Sequence, residues 1–164
     1  MSEDCCSTSN AGDQCAAPEP EAKTHACPTC GHDGPSVEAQ TVAAMTRGLV
    51  APKQNYWLCG DLECTTVYHG DRGAVLGVED MHVAPGFKIS GPEGLVCYCF
   101  MHTRGEIEQE LRSHGETTVP QRITAEINAG NCACEVRNPA GRCCLGEVTK
   151  AVATINERLA EIVT

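Results

Sequence analysis

Cysteine is the feature that most limits what this chain can fold into, since thirteen of its 164 residues are cysteine. At that density, a chain of this size is either held together by disulfides or built around metal ions. The start, Met-Ser-Glu-Asp, lacks the basic and apolar regions of a secretory signal, and the longest apolar runs are much shorter than a membrane span. We therefore expect a cytoplasmic protein without membrane insertion, in which reduced thiols bind metal.

The rest of the composition leaves little material for a large apolar core. Aromatic residues make up 4% of the chain, and the hydrophobic fraction of 41% includes the cysteines. The formal net charge of −10 repels phosphate backbones and anionic lipid, so nucleic acid is not an expected partner. Metal sites are therefore expected to supply part of the stability.

Changes in composition divide the chain into three predicted regions. Residues 1–24 are polar and acidic, cannot bury enough surface to become ordered, and are expected to form a flexible tail. Residues 25–91 contain short runs of aromatic and β-branched residues, which are typical of strands. Residues 92–164 show helical periodicity. The predicted fold class is therefore α+β, with a small metal-stapled β-rich domain before a domain of short helices.

Three helices are predicted in the last region. Thr103 and Glu106 form a capping box for the first helix. Pro120 suits the first turn of the second helix, and Gly130 is its stop signal. The third runs from about Cys144 to Ile162, with apolar residues at steps of three and four.

Two cysteine pairs in the β-rich region have the spacing of a zinc site. They are Cys27-x2-Cys30 and Cys59-x4-Cys64. Structural zinc takes four tetrahedral ligands, commonly from two such pairs. A redox Cys-x-x-Cys is the competing interpretation, but it leaves the second pair unexplained. His25 and His32 flank the first pair and could replace one of its thiolates.

A second set of cysteines lies in the helical region. It consists of Cys97-Tyr98-Cys99, Cys132-x-Cys134 and Cys143-Cys144. A Cys-x-Cys on an extended segment suits two ligands on one iron, and sulfurs at helix starts are stabilised as thiolates by the helix dipole and free N–H groups. A second zinc site is the alternative. Adjacent Cys143 and Cys144 cannot easily bind one metal together, so one of them is expected to be spare.

The predicted tail contributes three more cysteines, Cys5, Cys6 and Cys15. They are either incidental or form a flexible arm that captures a soft metal ion. Hydrolysis and group transfer are not expected, because no catalytic constellation or phosphate loop occurs, and His69, His82, His102 and His114 are predicted to be surface or half-buried residues. His102 lies three residues after Cys99, where an imidazole could couple the potential of a cluster to pH.

Three motifs resemble a known family. They are the stretch from Tyr56 to Tyr68 (YWLCGDLECTTVY), the segment Val96-Cys97-Tyr98-Cys99, and the segment from Asn138 to Cys144 (NPAGRCC). In this order they are similar to the N-terminal domain of CopZ-type copper metallochaperones, which holds one zinc and one [2Fe-2S] cluster. The cluster half of that domain is similar to the bacterioferritin-associated ferredoxin, a small helical module. The resemblance extends from about His25 to the C-terminus.

The resemblance implies a ligand set for each metal group. Cys27, Cys30, Cys59 and Cys64 correspond to the zinc positions. Cys97, Cys99, Cys134 and Cys144 correspond to the cluster positions, with Cys143 as the alternative to Cys144. Cys144 is preferred because Leu145, Val148 and Val152 keep it beside the apolar face of the last helix. Cys132 is then spare.

The resemblance implies a metallochaperone for a soft ion, copper or else mercury, whose cluster supplies an electron to reduce Cu(II) to the Cu(I) that thiolates bind. CopZ-type chaperones of this class also carry a ferredoxin-like copper domain, and these 164 residues contain no equivalent segment. The expected partner is a metal-transporting ATPase or a redox protein. The alternative function is a ferredoxin-like electron carrier or redox sensor that transports no metal. A purely structural protein would require zinc at both sites.

Overall fold

The computed structural model describes residues 24–48, 50–51 and 53–162. Within them the fold is α+β, as predicted, with a β-rich part followed by a helical part. The tail cysteines Cys5, Cys6 and Cys15 lie outside the described residues, so the predictions about them stay predictions. The elements in chain order are β1 Thr24–Ala26, β2 Asp33–Val37, α1 Ala39–Met45, β3 Tyr56–Leu58, β4 Thr66–Gly70, β5 Val75–Gly77, β6 Leu95–Cys97, β7 His102–Thr103, α2 Arg104–His114, α3 Val119–Asn128, α4 Cys134–Arg137 and α5 Leu145–Ile162.

The first five strands form one antiparallel sheet in chain order. Side chains alternate between its faces, and Tyr56, Leu58 and Tyr68 lie on the face that packs with Val42 of α1 in one apolar cluster. Trp57 therefore lies on the opposite face, directly across from its register partner His69. The sheet thus has a core face and an outer face.

The helical part forms a second apolar cluster. Ile107 of α2, Ile123 of α3 and Val148 of α5 are fully buried at its centre. The Thr103 hydroxyl accepts a hydrogen bond from the Glu106 amide at 3.2 Å, so the predicted cap begins α2. None of the described helices is long and apolar enough to cross a lipid bilayer.

The four-residue helix α4 was missing from the prediction because one turn is too short to show apolar periodicity. It lies against α1, where the Thr41 hydroxyl donates a 2.7 Å hydrogen bond to the Glu135 carbonyl. The Tyr68 hydroxyl likewise donates to the Pro139 carbonyl at 2.7 Å. Two buried hydroxyls of the sheet part therefore satisfy carbonyls of the helical part. The predicted boundary between residues 91 and 92 stays a prediction.

We expect Thr41→Val to destabilise the protein by about 1–3 kcal/mol, because it leaves the Glu135 carbonyl without its partner in the contact between the two parts. Chemical denaturation of the metal-loaded protein measures this. Thr124→Val is the matched control, since that exposed hydroxyl donates to the Pro120 carbonyl of its own helical turn. Equal stabilities of the two variants would contradict the assigned role of Thr41.

Candidate metal centres

Four cysteines from two turns converge at one end of the sheet. Their sulfurs all lie within 4.8 Å of one another, and the group is Cys27, Cys30, Cys59 and Cys64. Between Sγ atoms, Cys30 and Cys59 are 3.6 Å apart and Cys27 and Cys64 are 4.0 Å apart. A tetrahedron of zinc–sulfur bonds of about 2.3 Å requires sulfurs about 3.8 Å apart. The donor type, number and spacing therefore fit a closed zinc site.

The backbone of the β1–β2 turn prepares this geometry. The Cys27 amide donates to the His32 carbonyl at 2.9 Å, and the Gly31 amide donates back to the Cys27 carbonyl at 2.8 Å. Gly31 has a φ of 77°, a left-handed conformation that favours glycine. On the other side, the Asp61 carboxylate accepts from the Cys64 amide at 3.2 Å and fixes the second turn.

The electrostatics of the group show why it needs a cation. Burial opposes ionisation of Cys27, but hydrogen bonds from the Cys30 and Thr29 amides lower its pKa to about 7. Burial raises the pKa of Cys59 to about 12, and the neighbouring sulfurs add to that rise. Four thiolates at these distances repel one another, so a divalent ion is required for all of them to ionise together.

Lys88 lies against the four-sulfur group, a contact that the sequence did not predict. It ends a short 3₁₀ turn, Gly86–Lys88, and its Nζ lies 3.9 Å from the Cys59 sulfur. The same ammonium donates to the Cys64 carbonyl at 2.9 Å and to the Asp61 carbonyl. Its positive charge therefore offsets thiolate charge while it holds the turn that carries two of the four sulfurs. No local motif marks Lys88, because the contact is tertiary.

The two histidines near the first cysteine pair are not members of the four-sulfur group. His32 Nδ1 lies 3.2 Å from the Asp61 carboxylate, and His25 stacks on Trp57. His69 was predicted to be a surface or half-buried residue, and that prediction is wrong: it is 1% exposed. The cause is its position on a central strand beneath His25. His102 is half-buried, with Nδ1 2.7 Å from the Glu106 carboxylate.

A second sulfur group lies at the edge of the helical core. Cys99 Sγ is 3.6 Å from Cys134 Sγ and 4.0 Å from Cys132 Sγ, and the last two sulfurs are 3.3 Å apart. The Ala133 amide donates to the Cys99 sulfur at 3.5 Å. Cys132, interpreted from the sequence as spare, is thus part of a three-sulfur group.

Cys97 and Cys144, the other two buried cysteines that the structure describes in the helical part, form a contact of their own. The pKa of Cys97 is lowered to about 6, mainly by a hydrogen bond from Cys144. Burial opposes this shift, and hydrogen bonds from the Phe100 and Cys99 amides add to it. The same contact raises the pKa of Cys144. In the Cys-x-Cys segment, Cys97 therefore contacts Cys144 whereas Cys99 contacts Cys134. The sequence suggested instead that the sulfurs of Cys97 and Cys99 would bind the same iron.

The donor chemistry of this region fits an iron–sulfur cluster. Each iron of a [2Fe-2S] cluster takes two cysteine thiolates, and the contacts Cys97–Cys144 and Cys99–Cys134 offer two such pairs. Cys144 is 2% exposed and directly precedes α5, whose first turn begins with the Val148 amide donating to the Cys144 carbonyl. Cys143 is exposed.

Comparison with known proteins places this geometry in context. Residues 24–82 match the family model of a zinc binding domain of the CopZ type. The crystal structure of the N-terminal domain of CopZ from Archaeoglobus fulgidus superimposes with a TM-score of 0.63 at 25% identity, over 77% of this chain and 96% of that one. Both findings support a CopZ-type domain. No curated protein sequence matches the chain significantly. The CopZ-type domain and the sulfur groups together support metal binding.

We expect Lys88→Met to increase the loss of zinc to a competing chelator by about tenfold or more, because a contact that balances thiolate charge and fixes the Asp61–Cys64 turn is removed. A chromophoric chelator measures the released zinc. Lys150→Met is the matched control, since Lys150 is exposed and contacts Glu147 on α5. Zinc retention identical in all three proteins would show that the Lys88 ammonium does not stabilise the site.

Proposed function

We propose that the chain is a metallochaperone for a soft metal ion, copper before mercury, with an iron–sulfur cluster that supplies electrons. The CopZ-type domain supports the metal-chaperone part of this proposal. The observation that carries the redox part is the second sulfur region, where five cysteines gather beside the helical core. A closed zinc site uses four ligands. Five sulfurs in two contacts therefore favour a cluster of more than one metal ion over a single zinc.

The proposed zinc ligands are the four sulfurs at the end of the sheet, Cys27, Cys30, Cys59 and Cys64. The proposed cluster ligands are Cys97, Cys99, Cys134 and Cys144. The exposure of Cys143 favours Cys144 over it as the fourth ligand. Cys132 remains close enough to Cys134 to replace it if that ligand is lost. In this proposal residues 25–91 form the zinc domain and residues 92–164 the cluster domain.

When bound, a cluster of this type supplies one electron, which converts Cu(II) to Cu(I). Soft thiolates prefer Cu(I), so we propose that Cys5, Cys6 and Cys15 bind the reduced ion. The compartment is the cytoplasm, where thiols remain reduced. A metal-transporting ATPase is the proposed recipient, and a redox protein the proposed electron donor.

A ferredoxin-like electron carrier or redox sensor is the second candidate, and Met101 favours it. Its apolar side chain is 62% exposed, two residues after Cys99, in a turn where it has a φ of 60°. An exposed thioether beside the sulfur region suits a brief contact with a redox partner. The net charge of −10 would direct that contact to a basic surface.

Anaerobic purification followed by iron, sulfide and zinc analysis tests the proposed ligands. We expect about two irons and one zinc per chain. Cys97→Ser is expected to lose the iron and keep the zinc, because only the helical part loses a ligand. Cys143→Ser is the matched control and should keep both. A colourless protein that contains zinc at both sites would contradict the cluster.

A copper titration separates the chaperone from the electron carrier. We expect the anaerobic full-length protein to bind more Cu(I) than a variant in which Cys5, Cys6 and Cys15 are all serine, because three thiols are removed. Competition with a Cu(I) chelator measures the stoichiometry. If both proteins bind equal amounts, the tail has no role in capture, and an intact reversible cluster would then favour the electron carrier.

A further inference from the structure

An aromatic cluster on the outer face of the sheet lies outside both sulfur regions. The rings of His25 and Trp57 are stacked with centroids 4.5 Å apart, and those of Trp57 and His69 are 5.9 Å apart. The two imidazole centroids are separated by 5.3 Å. The sheet register produces this arrangement, since Trp57 pairs with His69 across β3 and β4 while His25 lies on the neighbouring β1–β2 pair.

His69 is the unusual member of this cluster. It is 1% exposed, and neither of its ring nitrogens has a hydrogen-bond partner among the residues that the structure describes. Burial lowers the pKa of His69, with a smaller contribution from His25, so the neutral ring is favoured. A buried polar group without a partner in a native protein requires an explanation, and a water or an ion bound at that position is one that fits an imidazole nitrogen. One nitrogen of a neutral imidazole always carries a free lone pair.

His25 supplies a second nitrogen beside the first. Its Nδ1 lies 3.0 Å from the Ala26 carbonyl, and only a donor can face a carbonyl oxygen, so Nδ1 carries the proton. The lone pair of the neutral ring is then on Nε2. Because His25 is exposed, an ion can reach the cluster from solvent.

We propose that His25 and His69 together bind a divalent transition-metal ion on the outer face of the sheet, beside Trp57. Metal–nitrogen bonds of about 2.0 Å hold two imidazole centroids roughly 5 to 6 Å apart, depending on the bond angle. The observed 5.3 Å falls in that range. Water completes the coordination, since the two rings supply two ligands.

The chemistry of the ligands identifies the class of ion. Imidazole nitrogen suits copper, nickel and zinc, and Cu²⁺ binds such ligands most tightly of the three. The net charge of −10 attracts any of these cations. The site goes beyond the proposed function, because it binds an ion through nitrogen and depends on neither cysteine group.

Trp57 reports on the site directly, because it is the single tryptophan of the chain. The probe is Ni²⁺, which shares the preference for imidazole and does not oxidise thiols. It is added anaerobically to the full-length protein that already contains its zinc and iron. We expect saturable quenching of Trp57 fluorescence with one equivalent of Ni²⁺.

Two variants test the ligands separately. His25→Phe keeps a ring that stacks on Trp57 but has no nitrogen, and His69→Leu removes the buried nitrogens. Each is expected to raise the Ni²⁺ concentration at half-quenching by at least about tenfold. His82→Phe is the matched control, since His82 is exposed and belongs to no aromatic pair described here, and it should behave like the unmodified protein.

The result that overturns the proposal is equally specific. Quenching that His25→Phe leaves unchanged would assign the Ni²⁺ to another site, and no quenching at all would mean that water satisfies His69. His25→Phe decides the matter even if His69→Leu fails to fold, because His25 is exposed. Loss of the iron–sulfur cluster would leave these outcomes unchanged, so this proposal and the proposed function fail independently.

Discussion

Repulsion between thiolates is the constraint on which the rest of this structure depends. Four sulfurs lie within 4.8 Å of one another at the end of the sheet, and three more are equally close beside the helical core. Groups of this density ionise together only around cations. With aromatic residues at 4% of the chain, the free energy of metal binding replaces part of what a larger apolar core would supply. The turns that carry the sulfurs are therefore as important to the fold as its two small cores.

Local signals were sufficient to predict most of the fold. Among the runs of aromatic and β-branched residues, Tyr56–Leu58 is a strand. Thr103 caps the start of α2, and Gly130 follows the end of α3, both as expected. The single turn of α4 was not predictable, because its position depends on Thr41 of α1, far away in sequence. Local patterns reveal an element only when it is long enough to show a period.

The candidate sites were likewise predictable where the signal is local in sequence and not where it depends on tertiary contacts. Cysteine spacing was enough to predict which residues meet at the four-sulfur group, although not that Lys88 would lie against it from a separate turn. The family resemblance implied that Cys132 was spare, and only the tertiary arrangement brings its sulfur to 4.0 Å from that of Cys99. His69 is a similar case, since its burial depends on a ring from another strand.

Gly86 and Tyr98 connect the two sulfur regions. Tyr98 lies between Cys97 and Cys99, and its hydroxyl accepts a 2.7 Å hydrogen bond from the Gly86 amide. Gly86 begins the turn that ends in Lys88, and a Cβ at Gly86 would lie 1.8 Å from the Leu95 carbonyl oxygen, so this approach excludes any side chain. The three-residue turn Gly86–Lys88 thus carries a contact with the helical sulfur region at its first residue and a contact with the four-sulfur group at its last. A side chain at position 86 would therefore displace both the Tyr98 contact and the turn that ends in Lys88, so one substitution would disturb the surroundings of both sulfur regions.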